Sequence, residues 1–120
     1  MRRAARKPRG RYHHGELRRA LLDGALAVIE RDGVSALSLR DLARRLGVSH
    51  AAPAHHFTDK MALLAEIARE GFERFGAALG AAAEASPDDD TRLVEIGRAY
   101  VGFALAHPAT FRVMFGRDLA

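Results

Sequence analysis

The segment RDLARRLGVSHAAPAHHFTDK, Arg40 to Lys60, places His50, His55 and His56 among Arg40, Arg44, Arg45 and Lys60, and a second His pair, His13-His14, lies upstream. Imidazoles in such a setting can ligate a metal, move a proton, hydrogen-bond to base edges and phosphates, or simply pack. Spacing separates these chemistries. Neighbouring His55 and His56 on a helix point about 100° apart, whereas a helical zinc pair needs i and i+4 positions. For His13-His14 no carboxylate or Cys completes a ligand set. No order of Ser, Asp and His, no phosphate loop and no spaced carboxylate pair stands out, so the chain reads as a non-enzyme without metal or cofactor. His56 is expected to pack beside Phe57 against the first helix. The chemistry left for His50 and His55 is hydrogen bonding to nucleic acid, with an ordinary helical corner bearing a basic rim as the bland alternative.

Helical periodicity runs through almost the whole chain after His14. Leu17, Leu21, Ala25 and Val28, with Leu22 and Ile29 beside them, give a first helix one apolar face, and Asp32-Gly33 stops it. A second helix opens at SLRD, where Ser38 can cap the Asp41 amide and the Asp41 carboxylate can return the bond. Leu39, Leu42, Ala43 and Leu46 form its inward stripe, and Gly47 closes it. Ser49 then reads as the cap of a third helix reaching about Phe57. Helix, Gly-containing turn and short helix make a helix-turn-helix pattern, whose second helix enters the major groove. Ala51, Ala52 and Ala54 are small enough for close approach to a groove and thymine methyls. His50 and His55 can meet base edges or phosphates, and Arg40 and Lys60 flank them where phosphates run.

Charge divides the chain. Residues 1–60 carry 13 Lys or Arg against 6 Asp or Glu, and residues 61–120 carry 6 against 9. The first eleven residues hold Arg2, Arg3, Arg6, Lys7, Arg9 and Arg11 without an acid, a composition suited to a flexible arm on a polyanion. A solvated terminus without a partner is the alternative. There is no Cys and no apolar run of membrane-spanning length, which fits a soluble chain in the reducing cytoplasm.

The second half continues the helical pattern. Thr58-Asp59 offers a cap for a long fourth helix through Leu63, Leu64, Ile67, Ala68, Phe72, Phe75 and Leu79 into GAAAEA. In SPDDD, Ser86 is expected to cap and Pro87 to occupy the first position of a fifth helix. Leu93, Ile96, Tyr100, Phe103 and His107 share one face of it, and Pro108 ends it before a short helix bearing Phe111, Met114 and Phe115. Phe72, Phe75, Tyr100, Phe103, His107, Phe111 and Met114 therefore have two readings, an apolar core or the lining of a small-molecule pocket with Tyr100 and His107 as its polar groups.

From about Tyr12 to Phe115 the sequence resembles the TetR family of bacterial transcriptional regulators. The resemblance rests on ALAVIERDGVSALSLRDLARRLGVS followed by HHF, TDK and the apolar helix MALLAEI, in that order and spacing. YHHGEL, VSHAAP and YVGFALAHPATFRVMFG look like one subgroup, with a helical effector-binding domain at the C-terminus. The resemblance implies an all-α fold. It comprises a basic flexible arm over residues 1–13, a three-helix helix-turn-helix DNA-binding domain over 14–60, and a long fourth helix leading into a helical effector-binding and dimerisation domain over 61–120.

Carried over by position, the resemblance implies phosphate contacts from Arg9 and Arg11 in the arm and from Arg40 and Lys60, with base or groove contacts from Ser49, His50, Ala51, Ala52 and His55. Ala54 stands where the family usually has an aromatic that meets the DNA backbone. Pro53, shared by the subgroup, is expected to press on the Ser49 carbonyl and distort the start of the third helix. The implied partners are a double-stranded DNA operator, a small-molecule effector of unknown identity and, at full length, a second copy of the chain, with no membrane. The family continues with further helices beyond the position of RDLA, so the 120 residues are expected to be part of a longer regulator. The competing class is a helical interaction module whose basic surface binds a protein or an anionic membrane.

Overall fold

A computed structural model describes residues 12–118, and all regular structure among them is helical. The order is α1, His14–Asp32, a 3₁₀ turn, Val34–Ala36, α2, Leu39–Leu46, a second 3₁₀ turn, Ala52–His55, then α3, Lys60–Ala85, α4, Asp89–Ala106, and α5, Pro108–Phe115. The chain divides into two compact units, with the boundary inside α3 between Leu63 and Leu64.

In the first unit, α1 buries Leu17, Leu21, Leu22, Ala25, Val28 and Ile29, the face its periodicity predicts. Leu42 and Ala43 of α2, Leu37, Val48, Pro53, Phe57 and Leu63 are also buried. Burying each large aliphatic side chain stabilises the unit by roughly 1.5–3 kcal/mol, so this cluster is what fixes the elements around the turn. α1 starts inside the histidine pair: His13 is its N-cap residue, and the His13 amide donates to Glu16 Oε1 at 3.3 Å. His13, the last residue of the expected arm, thus belongs to the helix start. Gly33 ends α1 at φ 92°, ψ 167°, a region open essentially to glycine, and its amide donates to the Ile29 carbonyl at 2.9 Å.

The expected start of α2 forms in half. Asp41 N–H donates to Ser38 Oγ at 3.1 Å, but the Asp41 carboxylate is engaged by the guanidinium groups of Arg44 and Arg45. Charge-assisted pairing one helical turn away competes with the return bond to the cap. At the other end Gly47 is left-handed, φ 73°, ψ 28°, and the Val48 amide donates to the Ala43 carbonyl at 3.0 Å, a Schellman closure that turns the chain sharply.

The second unit contains the rest of α3, α4 and α5. Phe75, Phe103 and Met114 form its buried cluster, with Leu79 and Phe111 packed against it. Backbones approach closely where Gly71 faces α5: a methyl group there would lie 2.6 Å from Met114 Sδ and 2.7 Å from Thr110 Cγ2. The SPDDD stretch departs from expectation. The Ser86 hydroxyl donates back to the Ala82 carbonyl at 2.8 Å and so finishes α3, which leaves the cap of α4 to Asp88, whose Oδ1 accepts from the Thr91 amide at 2.8 Å. Pro87 precedes the helix instead of opening it, and Pro108 occupies the first turn of α5. The outer face of α4 is apolar and uncovered, with Leu93 and Leu105 exposed at 75% and 78%. An open groove of about 540 Å³ runs along it past Gly97, Arg98, Val101, Gly102 and Leu105.

Candidate nucleic-acid interface

The largest local correction to the sequence reading falls on the third helix. Instead of a helix from Ser49 to about Phe57, the structure has a turn at His50-Ala51 and a single 3₁₀ stretch, Ala52–His55, without a side-chain cap from Ser49. Pro53 is the physical cause. It carries no amide hydrogen, and in an α-helix its ring would clash with the Ser49 carbonyl four residues back. The chain tightens to three-residue bonds: Ala52 N–H donates to the Ser49 carbonyl at 3.1 Å and Ala54 N–H to the Ala51 carbonyl at 3.2 Å. The Pro53 carbonyl then accepts from both His56 and Phe57, at 2.9 and 2.8 Å. Pro53 itself is fully buried, so its ring anchors the segment from below.

This geometry leaves Ser49, His50, Ala51, Ala54 and His55 exposed on one compact protrusion, with Ala52 half-buried. Arg40 is exposed at the start of α2, and Lys60, half-buried, is the first residue of α3. Arg9 and Arg11 lie outside the described residues. Two imidazoles, a hydroxyl and small methyl groups on a tight turn can approach a groove closely. Flanking cations can hold phosphates on either side. α2 carries further charge beside the turn, but Arg44 and Arg45 share the Asp41 carboxylate, which discounts them as free phosphate contacts.

The partners on α1 that hold the protrusion were not specified by the sequence pattern. His14, in the first turn of α1, packs on His56 with ring centroids 4.1 Å apart and planes tilted by 42°, and the Arg18 guanidinium lies 4.8 Å from the centre of the Phe57 ring. His56 does pack against the first helix, as its position suggested. Its pKa is lowered, mainly by burial and further by the positive charge of His14, Arg18 and His55. The signal was present in the paired motifs YHHGEL and HHF, but nothing in their spacing states that they meet.

Among the described residues no group of three or more His, Cys, Asp or Glu side chains is placed to hold a metal ion, and no helix is long and apolar enough to cross a membrane.

The seven residues with a pocket or core reading separate by burial. Phe75 sits at the centre, with Tyr100 and Phe103 each 5.2 Å away and Phe111 at 6.3 Å between ring centroids, all edge to face. Phe75, Phe103 and Met114 are buried, Phe111 and His107 are half-buried, and Phe72 and Tyr100 are exposed. The Arg74 guanidinium lies 3.3 Å from His107 Nδ1, and the His107 ring packs 4.8 Å from Phe103.

Residues 21–67 match the family model of bacterial regulatory proteins, tetR family. An HTH-type transcriptional repressor of Mycobacterium tuberculosis is 40% identical over 65 residues, which are 54% of this chain and 35% of that protein. Among solved structures, a protein with unknown function from Rhodococcus sp. RHA1 is 49% identical with a TM-score of 0.77, over 92% of this chain and 58% of that one. A candidate regulatory protein, SCO4313, is 32% identical with a TM-score of 0.76, over 94% of this chain and 53% of that one. The chain thus spans little more than half the length of these solved relatives and about a third of the curated one.

Proposed function

We propose that the chain, whose residues 21–67 match the family model of bacterial regulatory proteins, tetR family, is a sequence-specific DNA-binding transcriptional repressor of that family, without enzymatic activity, acting in the cytoplasm. The observation that carries this reading is the protrusion from Ser49 to His55: polar and small exposed groups on a tight, anchored turn, with Arg40 and Lys60 at its flanks. In this proposal His50 and His55 read base edges, Ser49, Ala51 and Ala52 line the groove contact, and Arg40, Lys60, Arg9 and Arg11 bind phosphates. Ala54 is exposed and contributes no aromatic anchor, which lowers the affinity of one half-site.

The protein binds a palindromic operator as a homodimer, since two half-sites about one helical turn apart supply the specificity one turn cannot. A small-molecule effector in the second domain, residues 61–120, shifts the population between a DNA-matched and an unmatched state. Its ligand contacts are drawn from the exposed Phe72 and Tyr100 and the half-buried His107 and Phe111, while Phe75, Phe103 and Met114 serve mainly in packing.

The test is a fluorescence-anisotropy titration of the chain against the duplex upstream of its own gene and against a scrambled duplex, at two salt concentrations. Preference for the upstream duplex that survives the higher salt supports base reading. Equal binding to both, abolished by salt, rejects it in favour of a basic interaction surface.

A further inference from the structure

The residues after the protrusion pack against α1 through one histidine ring and one aromatic ring. His56 and Phe57 follow Ala52–His55 directly, and their amides both donate to the Pro53 carbonyl, so whatever fixes them fixes the protrusion. His14 covers the His56 ring at 4.1 Å, and Arg18, one turn further along α1, covers Phe57 at 4.8 Å. Within this contact His56 Nδ1 is buried and has no hydrogen-bond partner. A neutral imidazole tolerates that as an unfilled acceptor. A protonated one would carry a buried N–H with nothing to receive it, facing the Arg18 guanidinium and the His14 ring on α1, with His55 beside it on its own turn.

We propose that the tilted His14–His56 ring contact is a proton-sensitive latch that positions the DNA-reading turn at neutral pH and releases it on mild acidification. His56 is a positioning residue here and touches no DNA. Protonation is relieved when the ring leaves the face of α1, which loosens the Phe57 contact and the two bonds to the Pro53 carbonyl together. The direction is consistent with the linkage. A His whose folded-state pKa is depressed contributes stability that is complete above its ordinary value of 6.5 and is lost as pH falls through that value toward the folded one.

The consequence for DNA rests on the repressor reading, but the latch does not, and two measurements keep them apart. The first is an NMR titration of the whole chain from about pH 8 to about pH 5, following His56 Hε1 and the amides of residues 52–57. The expected result is a His56 midpoint below the ordinary histidine range, shared by those amides, and a higher midpoint in His14→Gln. An ordinary midpoint, or amides that stay still while His56 titrates, overturns the latch. The His14→Gln arm leaves His56 in place, so the test stands even where His56→Gln fails to fold.

The second measurement compares affinity for the upstream duplex between wild type and His56→Gln over the same range. Release of one site predicts that wild type loses up to about tenfold per pH unit relative to the variant. Parallel pH profiles for the two proteins reject the coupling to DNA. If neither protein binds the duplex at any pH, the repressor reading fails while the titration still decides the latch.

Discussion

Gly71 and Gly76 sit five residues apart in the same helix and the same unit, which makes them a controlled pair for the packing of α3 on α5. Replacing either by Ala should gain about 0.8–1 kcal/mol of helix propensity. At Gly76 a methyl group meets nothing within 4 Å, so that gain should appear nearly whole. At Gly71 it would lie 2.6 Å from Met114 Sδ, 2.7 Å from Thr110 Cγ2 and 2.9 Å from Met114 Cγ. Met114 is flexible, but it is buried in the Phe75 and Phe103 cluster, and Thr110 is buried and stiff at χ1, so neither can retreat freely. Overpacking of this kind costs roughly 1–3 kcal/mol. The net for Gly71→Ala is therefore a loss of zero to about 2 kcal/mol, against a gain approaching about 1 kcal/mol for Gly76→Ala. Urea denaturation followed by circular dichroism, with the midpoints of both variants compared to wild type, reads the difference. Equal shifts, or a stabilised Gly71→Ala, would refute the close approach between α3 and α5.

Four further outcomes follow from single contacts. Gly47→Ala should destabilise the first unit by roughly 1 kcal/mol, since a residue with a Cβ pays for the left-handed turn, and Gly47→Asn should lose less; both are measurable by urea denaturation. Ser38→Ala removes the acceptor of the Asp41 amide and should cost about 1 kcal/mol in the same assay, with no loss meaning that the cap is not formed in solution. Lys60→Ala should weaken binding to every duplex alike, whereas His50→Ala should change which sequence is preferred; anisotropy on a panel of duplexes separates them, and uniform losses for both would reject His50 as a reader. Asp88 has its pKa lowered by the hydrogen bonds from the Thr91 backbone and side chain and from the Asp90 backbone, so its contribution is complete above the ordinary value of 3.8 and fades as pH falls below it. Asp88→Asn keeps a cap oxygen without the charge, and its thermal midpoint should fall less steeply than wild type across that acid range.

The sequence by itself determined the helical class, the apolar face of α1, the glycine stops at Gly33 and Gly47 and the Ser38 cap, because each is encoded within a few residues by periodicity, capping chemistry or backbone freedom. It also grouped Ser49, His50, Ala51, Ala52 and His55 in one short segment after α2, but as a third helix capped by Ser49, which does not form. Outcomes set by competition between neighbours were not legible. Ser86 satisfies the helix before it and leaves Asp88 to cap the next, and Asp41 turns to two arginines in place of its own cap. Pro53 was recognised as a distortion, yet only the buried position of its ring shows why the segment collapses to one 3₁₀ turn instead of a bent α-helix. Tertiary structure alone decided that His14 meets His56 and Arg18 meets Phe57, across some forty intervening residues, roughly, that no period relates. Local rules carry information over one or two turns of chain, whereas the contacts that aim the reading turn depend on how α1 lies against a distant segment, and that is fixed only when the apolar faces close on one another.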